Sequence, residues 1–578
     1  MTLQRNSMYR WLCVSLTLLV GFSLAANVQG QDRLPADDVV EAPSEDKVTH
    51  SIDDLLTKGQ EFEDQARWGE ALNHYELAVK EFPGNKRLED RMVVARVHFD
   101  VQRRYDDESF REVVLKLTER EAADLYGEVL QKIQTHYYGP PNWSELFRRG
   151  LMSFDVALTK PAFRQANLKS VDTRAIDQFR RELQQSMSNV NPRDQKQARE
   201  HALWAARAAN QKLGLRSSAA LSEFLAGATC GLDEYSAFLT PSQLDEVFSQ
   251  IEGNFVGLGV ELKTDSNQLL IVSVIPGGPA GEGGIRPGEK ILSVDGKHIG
   301  KTGDGDVTSE QAADLLRGEE GSIVEVDIAG RDGEVRSLSL KRQRVDVPCV
   351  EGARIIDPEG GVAYLKLTSF QKSTSRDVDE ALWRMYREGM RSLVIDLRGN
   401  PGGLLTAAVE VADKFVNDGT IVKTRGRSTQ EDYDYKAHRP GTWRVPLTVL
   451  IDGDSASASE IFAGAIRDHA RGKIVGQRSY GKGSVQGIFQ LAGASAGVRL
   501  TTAKFYSPNG HEISRRGVSP DPGLAVRVTA KPVAESPRFS TETEIDPTDV
   551  ALQTALTTAR QIAVPATSQQ ASRRSTSK

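Results

Sequence analysis

Hydrophobic positions change their spacing along the chain, and each change marks a segment. In residues 1–30, Arg5 and Arg10 precede the unbroken apolar run "WLCVSLTLLVGFSLAA", and small and polar residues, "NVQGQDR", follow it. That order is the basic, apolar and small-residue pattern of a signal peptide. The run is near the short end for a membrane span. The expectation is an exported chain, periplasmic or extracellular, or membrane-anchored if the signal is not cleaved. No other stretch is long and apolar enough to cross a bilayer. Residues 31–50 are acidic and polar, with Pro35 and Pro43, and read as a linker.

Over 51–118 the apolar residues recur at helical spacing. Within "RWGEALNHYELAVKEFPGN", Ala71, Tyr75, Ala78 and Pro83 hold the small, aromatic, small and proline places of a tetratricopeptide second helix, with Gly59 and Phe62 ahead of them. The next stretch, "RMVVARVHFDVQRRYDD", matches a second copy poorly, and one repeat cannot bury its own face. A generic helical hairpin accounts for the pattern equally well. Either version would suit a docking surface for an adaptor. Helical spacing continues over 119–251, interrupted by the turn signals "GPPNW" and "NVNPRD".

At 252–342 alternation and Gly/Pro turns take over, which predicts a small β-rich module. From 343 to 559 strand-like "GVAYLKL", "SLVIDLRG", "PLTVLIDG" and "GKIVGQ" alternate with helix-like "TSRDVDEALWRMYREG", "LLTAAVEVADKFV" and "SASEIFAGAIRDHA". That alternation predicts an α/β domain. Residues 560–578 are rich in Ala, Ser, Thr and Gln and read as a disordered tail.

Composition narrows the classes. A chain of 578 residues is too long for one core. A net charge of −6 over that length gives no electrostatic reason to expect nucleic acid. Cys13 lies in the apolar run, without the small-residue setting of a lipid-attachment site. Cys230 and Cys349 form neither a metal motif nor a disulfide framework, and two small buried hydrophobes is the simpler reading. Whether they pair is left open.

The β-rich module holds the first candidate site. Gly257, Leu258, Gly259 and Val260 open a strand with glycines that leave backbone N–H groups free. Such amides at a strand edge can hold a chain-terminal carboxylate while the edge pairs with the peptide. "GGPAGEGGIRPGEKILSVDG" adds a turn, a short helix and a strand, and the module resembles a PDZ domain.

The α/β segment holds the second. "DGDSASASEIFAGA", residues 452–465, sets Ser455, Ser457 and Ser459 at alternate positions ahead of a helix. A serine hydroxyl needs a base to become a nucleophile. His469 follows Ser459 on the same helical stretch, about three turns away and out of reach. Spacing does not exclude His511. Lys482, between Gly481 and Gly483, is the other candidate, because burial lowers an amine's pKa and leaves a neutral base near neutral pH.

Together, "GDSASASEIFAGAIRDHARGKIVGQRSYGKGSVQ", "LVIDLRGNPGGLL" and the PDZ-like module resemble the carboxyl-terminal processing (tail-specific) peptidases. The resemblance implies a multidomain α/β protein: a crotonase/ClpP-like protease domain, an inserted β-rich PDZ domain and an N-terminal helical region. It implies a serine endopeptidase that cleaves near the carboxyl terminus of exported proteins with a Ser/Lys dyad. No metal or organic cofactor is implied. The partners are protein or peptide substrates with free carboxyl termini, and a homo-oligomer is compatible with it.

The family pattern assigns the nucleophile to Ser457, the base to Lys482, and a supporting amide to Gln486, which would hold the lysine in line without adding charge. Elementary chemistry agrees on Ser457, since the N–H of Ala458 at the helix start is free to face an oxyanion. Ser455 suits a turn, Ser459 would be turned by the helix, and Glu460 suits the first helical turn through the macrodipole. For the second oxyanion donor the resemblance points to Gly402 or Gly403 of "RGNPGG", where glycines let backbone amides approach a substrate closely. Asp396 and Arg398 read as a structural ion pair, and "GLDEYSAFLTP" and "GVSPD" as structural segments. Two rival readings are a PDZ-bearing binding protein on an inactive scaffold and a coenzyme A thioester enzyme. The joint presence of Ser457, Lys482 and Gln486 counts against the first. The signal-like segment and the PDZ-like module count against the second.

Overall fold

The computed structural model describes residues 13–15, 51–265, 268–300, 307, 309–438, 443–526 and 548–563. The expected linker 31–50, nearly all of the signal-like segment and the tail beyond 563 lie outside the described residues. The chain divides into two compact units.

One unit is largely helical, its described residues running from 51 to 245 together with 488–501. Its first helices, Ile52–Asp64 and Trp68–Glu81, pack through Gly59, where a side chain would strike the Tyr75 ring. Ala71, Tyr75 and Ala78 are buried there with Leu55 and Leu88. The third helix, Lys86–Asp106, runs on as a single long element rather than opening a second repeat. Deeper in, Trp143–Thr159 and Ser217–Cys230 meet backbone to backbone at Gly150 and Gly227. Arg104 and Glu223 form a buried ion pair beside them at 2.7 Å. Residues 488–501 give Phe489, Leu491, Val498 and Leu500 to this core. Strand Ala237–Leu239, from the segment read as structural, pairs with Gly497–Arg499.

The other unit holds both candidate sites and comprises the described residues of 246–487, 502–526 and 548–563, with 13–15. A two-stranded ribbon, Asn254–Gly257 against Gln343–Asp346, leads into and out of the β-rich module. The module's strands, among them Val260–Asp265, Gln268–Val274 and Ile323–Ala329, enclose Leu258, Ile271, Ile291, Val326 and, from helix Ser309–Leu316, Ala312 and Leu316.

The α/β core is a five-stranded sheet in the order 350–357, 362–367, 392–396, 447–451, 473–476. All pairs but the first are parallel. The last four strands are those expected from the apolar runs. The two central strands, 392–396 and 447–451, are buried on both faces, which explains why their runs lack alternation. Helix Val550–Ala563 lays Leu552, Ala555 and Leu556 against Val362, Val394, Leu450 and Val475. It crosses the boundary expected at 559, so ordered chain continues to Ala563. A second, antiparallel group pairs Thr420–Gly426 with Tyr433–Lys436 on one side and with residues 503–506 on the other. Cys13–Ser15 forms a short strand antiparallel to Gly403–Leu404 and to Ser484–Gln490.

Candidate active site

Two loops leave the carboxyl ends of neighbouring parallel strands, Ser392–Asp396 and Leu447–Ile451, where open α/β sheets place their sites. The first carries "RGNPGG" and the second carries the three serines. Asn400 ties them together. Its carbonyl accepts from Ala456 N–H and from Ser459 Oγ, each at 3.0 Å, while its side chain donates to Leu367 O and accepts from Gly402 N–H at 2.9 Å.

The three serines are thereby sorted. Ser455 Oγ donates to Leu397 O at 2.8 Å and accepts from Asp452 N–H, so it closes the turn. Ser459 is spent on Asn400. Ser457 sits between them as the residue that starts helix Ala458–Asp468, with φ +58° and ψ −111°. That backbone is costly for a residue with a side chain and persists only where its surroundings enforce it.

The enforcement comes from Glu460, which is fully buried. Its Oε2 accepts from Ser457 N–H at 2.8 Å and from Lys482 N–H at 2.9 Å. Its Oε1 accepts from Gly481 N–H at 2.7 Å and from Ser479 Oγ at 2.6 Å. Burial pushes this carboxyl above its ordinary range, and the donors from Ser479, Ser457, Gly481 and Lys482 pull against that rise. The sequence suggested only a helix-dipole role for Glu460. The structure makes it the joint between the serine turn and the lysine loop. The Ser-x-x-Glu spacing could have signalled the contact to Ser457, but nothing in the sequence signals Gly481 or Lys482.

The glycines flanking Lys482 have a steric reason. A side chain on Gly481, at φ +91°, would press on the Arg515 backbone, and one on Gly483 would lie 2.3 Å from Ser514 N. Arg515 N–H donates to Gly481 O, and Val518 N–H donates to Ser479 Oγ at 2.6 Å. The "GVSPD" segment therefore braces the lysine loop. Ser457, Lys482 and Gln486 are all fully buried, and Gln486 Nε2 donates to Ser484 Oγ at 3.1 Å.

The two candidate oxyanion glycines are placed differently. A side chain on Gly402 would lie 2.8 Å from Ser457 Cβ and 2.9 Å from Ala458 N, so the bare glycine keeps open the space beside that amide. Its own N–H is taken by Asn400. Gly403 bridges Phe370 in parallel, with Phe370 N–H donating to Gly402 O and Leu404 N–H to Phe370 O. In that pattern the Gly403 N–H points away from Phe370.

The histidines are elsewhere. His469 ends the serine helix with Nε2 2.7 Å from Thr420 O, and His511 is exposed. Asp396 and Arg398 pair at 2.7 Å; Arg398 also holds Asp549 at 2.8 Å, and Tyr364 donates to Asp396. Cys230 and Cys349 are free thiols, with burial pushing the Cys349 thiol up to about 11. Among the described residues, no group of three or more His, Cys, Asp or Glu is placed to hold a metal ion.

In the β-rich module, Leu258 O accepts from Ala280 N–H at 2.9 Å and Gly259 O from Ile275 N–H at 2.8 Å. Gly259 has φ +78°. The N–H groups of Leu258 and Gly259 have no acceptor among the described residues. Val260 begins the strand that follows.

Residues 361–523 match peptidase family S41, and residues 270–330 match a PDZ domain. A carboxy-terminal-processing protease of Bartonella bacilliformis is 37% identical over 300 residues, 51% of this chain and 67% of that protein. A probable CtpA-like serine protease of Staphylococcus haemolyticus is 33% identical over 301 residues, 51% of this chain and 57% of that protein. This chain thus spans little more than half the length of the staphylococcal relative. A photosystem II D1 C-terminal processing protease structure shares 26% identity over 70% of this chain and 92% of that one, with a TM-score of 0.37, too low to equate the two folds. The class defined is a serine peptidase carrying a PDZ domain. The chain belongs to peptidase family S41, among the carboxy-terminal-processing proteases.

Proposed function

We propose that the protein is an exported endopeptidase that cleaves near the carboxyl terminus of protein substrates, with Ser457 as nucleophile and Lys482 as general base. The observation that carries this reading is the shared carboxylate of Glu460, which draws the backbones of Ser457 and Lys482 together inside a buried site. An extended substrate enters as a strand between Gly403–Leu404 and Gln486–Gly487. The pairing of Cys13–Ser15 in that slot supports it. Its free carboxylate docks on the unclaimed Leu258 and Gly259 amides, with Gly257 and Val260 framing them.

Neutral Lys482 then removes the Ser457 hydroxyl proton as Oγ attacks the carbonyl carbon. The tetrahedral oxyanion is held by the amides of Ala458 and Gly403, with Gly402 keeping the pocket open. Collapse breaks the peptide bond, and protonated Lys482 gives its proton to the departing amine, leaving an acyl-enzyme on Ser457. Lys482 next deprotonates the water that releases the new carboxyl terminus. Gln486 orients the lysine amine. The signal-like segment supports action in a periplasmic or extracellular setting.

The test is cleavage of an unfolded protein by the purified chain and by Ser457→Ala and Lys482→Ala. Cleavage by the unaltered chain alone is expected, with loss when the substrate's carboxyl terminus is amidated. Cleavage surviving in Ser457→Ala would overturn the nucleophile, and indifference to amidation would overturn the PDZ role.

A further inference from the structure

The strand Cys13–Ser15 occupies the slot between Gly403–Leu404 and Gln486–Gly487, and its register fixes which of its carbonyls meets the site. On one edge Val14 stands opposite Leu404 and Ser15 opposite Gly403. On the other edge Cys13 stands opposite Gly487 and Val14 opposite Gln486. Leu404 N–H is given to Phe370 O, on the side away from this strand. Backbone groups of successive strand residues point to opposite edges, so the neighbouring Gly403 N–H points at Ser15. Opposed residues in such an antiparallel pair exchange both bonds, and Gly403 N–H thus donates to the carbonyl of Ser15.

That carbonyl is held by one of the amides assigned to the oxyanion. The same loop sets it beside the nucleophile, since a side chain on Gly402 would lie 2.8 Å from Ser457 Cβ and 2.9 Å from Ala458 N. By the same alternation Val14 turns its own N–H and C=O to the Gln486 edge, so the strand is fastened on both sides. Pairing of this kind reads backbone and does not depend on the sequence of the captured segment.

We infer that the chain cuts its own amino-terminal segment between Ser15 and Leu16. The inference rests on the peptidase reading and adds to it a bond within this chain. Lys482 takes the Ser457 hydroxyl proton as Oγ bonds to the Ser15 carbonyl carbon. The bond from that carbon to the Leu16 nitrogen breaks, Lys482 returns the proton to the nitrogen, and residues 1–15 remain as an ester on Ser457. Water, deprotonated by Lys482, then releases them with a new carboxylate. A tethered segment reaches the slot without a free carboxylate to dock in the PDZ module, and the step is unimolecular. The cut takes away Arg5 and Arg10 and splits the apolar run, leaving "LTLLVGFSLAA" on the chain. That remnant is far short of the roughly 20 residues of a membrane span. A leader held in the slot is outside any bilayer, so the reaction falls on chains that fold before export and strips them of their export signal.

The full chain synthesised without membranes tests it, with an unfolded protein added as a second substrate. Intact mass and amino-terminal sequencing should show Leu16 as the new first residue, with a half-time unchanged on dilution. Ser457→Ala should keep residues 1–15. Val14→Pro removes the N–H that faces Gln486 and should slow self-cleavage by roughly tenfold or more, while the second substrate is cut no more slowly. Self-cleavage that persists in Ser457→Ala, quickens with chain concentration or ignores Val14→Pro would overturn the inference. Residues 1–15 retained by a chain that cuts the second substrate would overturn it alone and make the strand a plug. Failure to cut either would overturn it together with the peptidase reading.

Discussion

The main-chain N–H groups of Ser457 and Lys482, twenty-five residues apart in sequence, donate to one and the same atom, Oε2 of Glu460. Two hydrogen bonds to one oxygen hold the two nitrogens within about 6 Å of each other. The pairing of the proposed nucleophile and base is therefore set in the backbone and does not rely on their side chains.

Replacing Glu460 by Gln should separate catalysis from folding. An amide offers one acceptor oxygen and turns donors toward N–H groups already pointing inward. A misplacement on the order of 1 Å at a reacting group costs about 10²-fold, so kcat should fall by that order while the variant still folds. An unchanged kcat in a folded Glu460→Gln enzyme would show that the joint is dispensable.

The same carboxyl gives a pH signature. Burial raises its pKa above the ordinary value of 4.5, so the folded chain holds this proton more tightly than the unfolded chain. Between the ordinary and the raised value the unfolded state binds fewer protons. This contribution to stability is complete below that window and is lost as pH rises through it. Peptidase activity should move the opposite way, because the ionised carboxylate is the better acceptor for both amides. Urea denaturation across pH, compared with Glu460→Gln, checks it: matching pH slopes in the two proteins would refute the assignment.

Gly402→Ala should abolish cleavage with little loss of secondary structure. The new Cβ, on a backbone at φ +104°, would meet Ala456 O at 2.7 Å and Ser457 Cβ at 2.8 Å, beside the Ala458 amide. Loss of one oxyanion contact costs about 10²–10³-fold, and displacement of Ser457 adds to that. Steady-state rates near those of the unaltered chain would rule out this pocket.

In the PDZ module, Gly259→Val forces a branched side chain onto φ +78° and against Val345 and Gly278. KM for a substrate with a free carboxyl terminus should rise, while the slower cleavage of an amidated substrate stays as it was. Equal effects on both substrates would point to general damage.

Arg398→Ala should be among the most destabilising single changes. It leaves Asp396, 1% exposed, without its cation. Removing one member of a buried pair costs about 3–5 kcal/mol. Asp549→Ala keeps the Arg398–Asp396 pair and should cost about 1 kcal/mol, as for a partly exposed pair. Urea midpoints distinguish the two, and equal losses would contradict the ranking.

Much of this architecture is legible in the chain because it is local. Apolar runs bounded by turns locate the parallel strands 362–367, 392–396, 447–451 and 473–476, and the helices between them follow from 3.6-residue spacing. The antiparallel pairing of 420–426 with 503–506 joins stretches some eighty residues apart, and no local pattern announces it. The site divides the same way. Serine, lysine and glycine motifs are short and readable. Asn400 knotting the two loops, Ser479 beneath Glu460, and Arg515 against Gly481 arise only when distant loops are brought together. Sequence left Gly402 and Gly403 equivalent, and only the Asn400 contact and the Phe370 bridge tell them apart.

The contact from Asp549 to Arg398 also sets a timetable for synthesis. Arg398 lies two residues from the Asn400 knot, and Asp549 together with helix Val550–Ala563 is translated long after the serine and the lysine. A ribosome-bound chain already holding Ser457 and Lys482 lacks the last brace of its own sheet. The sheet that carries both loops is thus completed only when chain 151 residues beyond Arg398 folds back onto it.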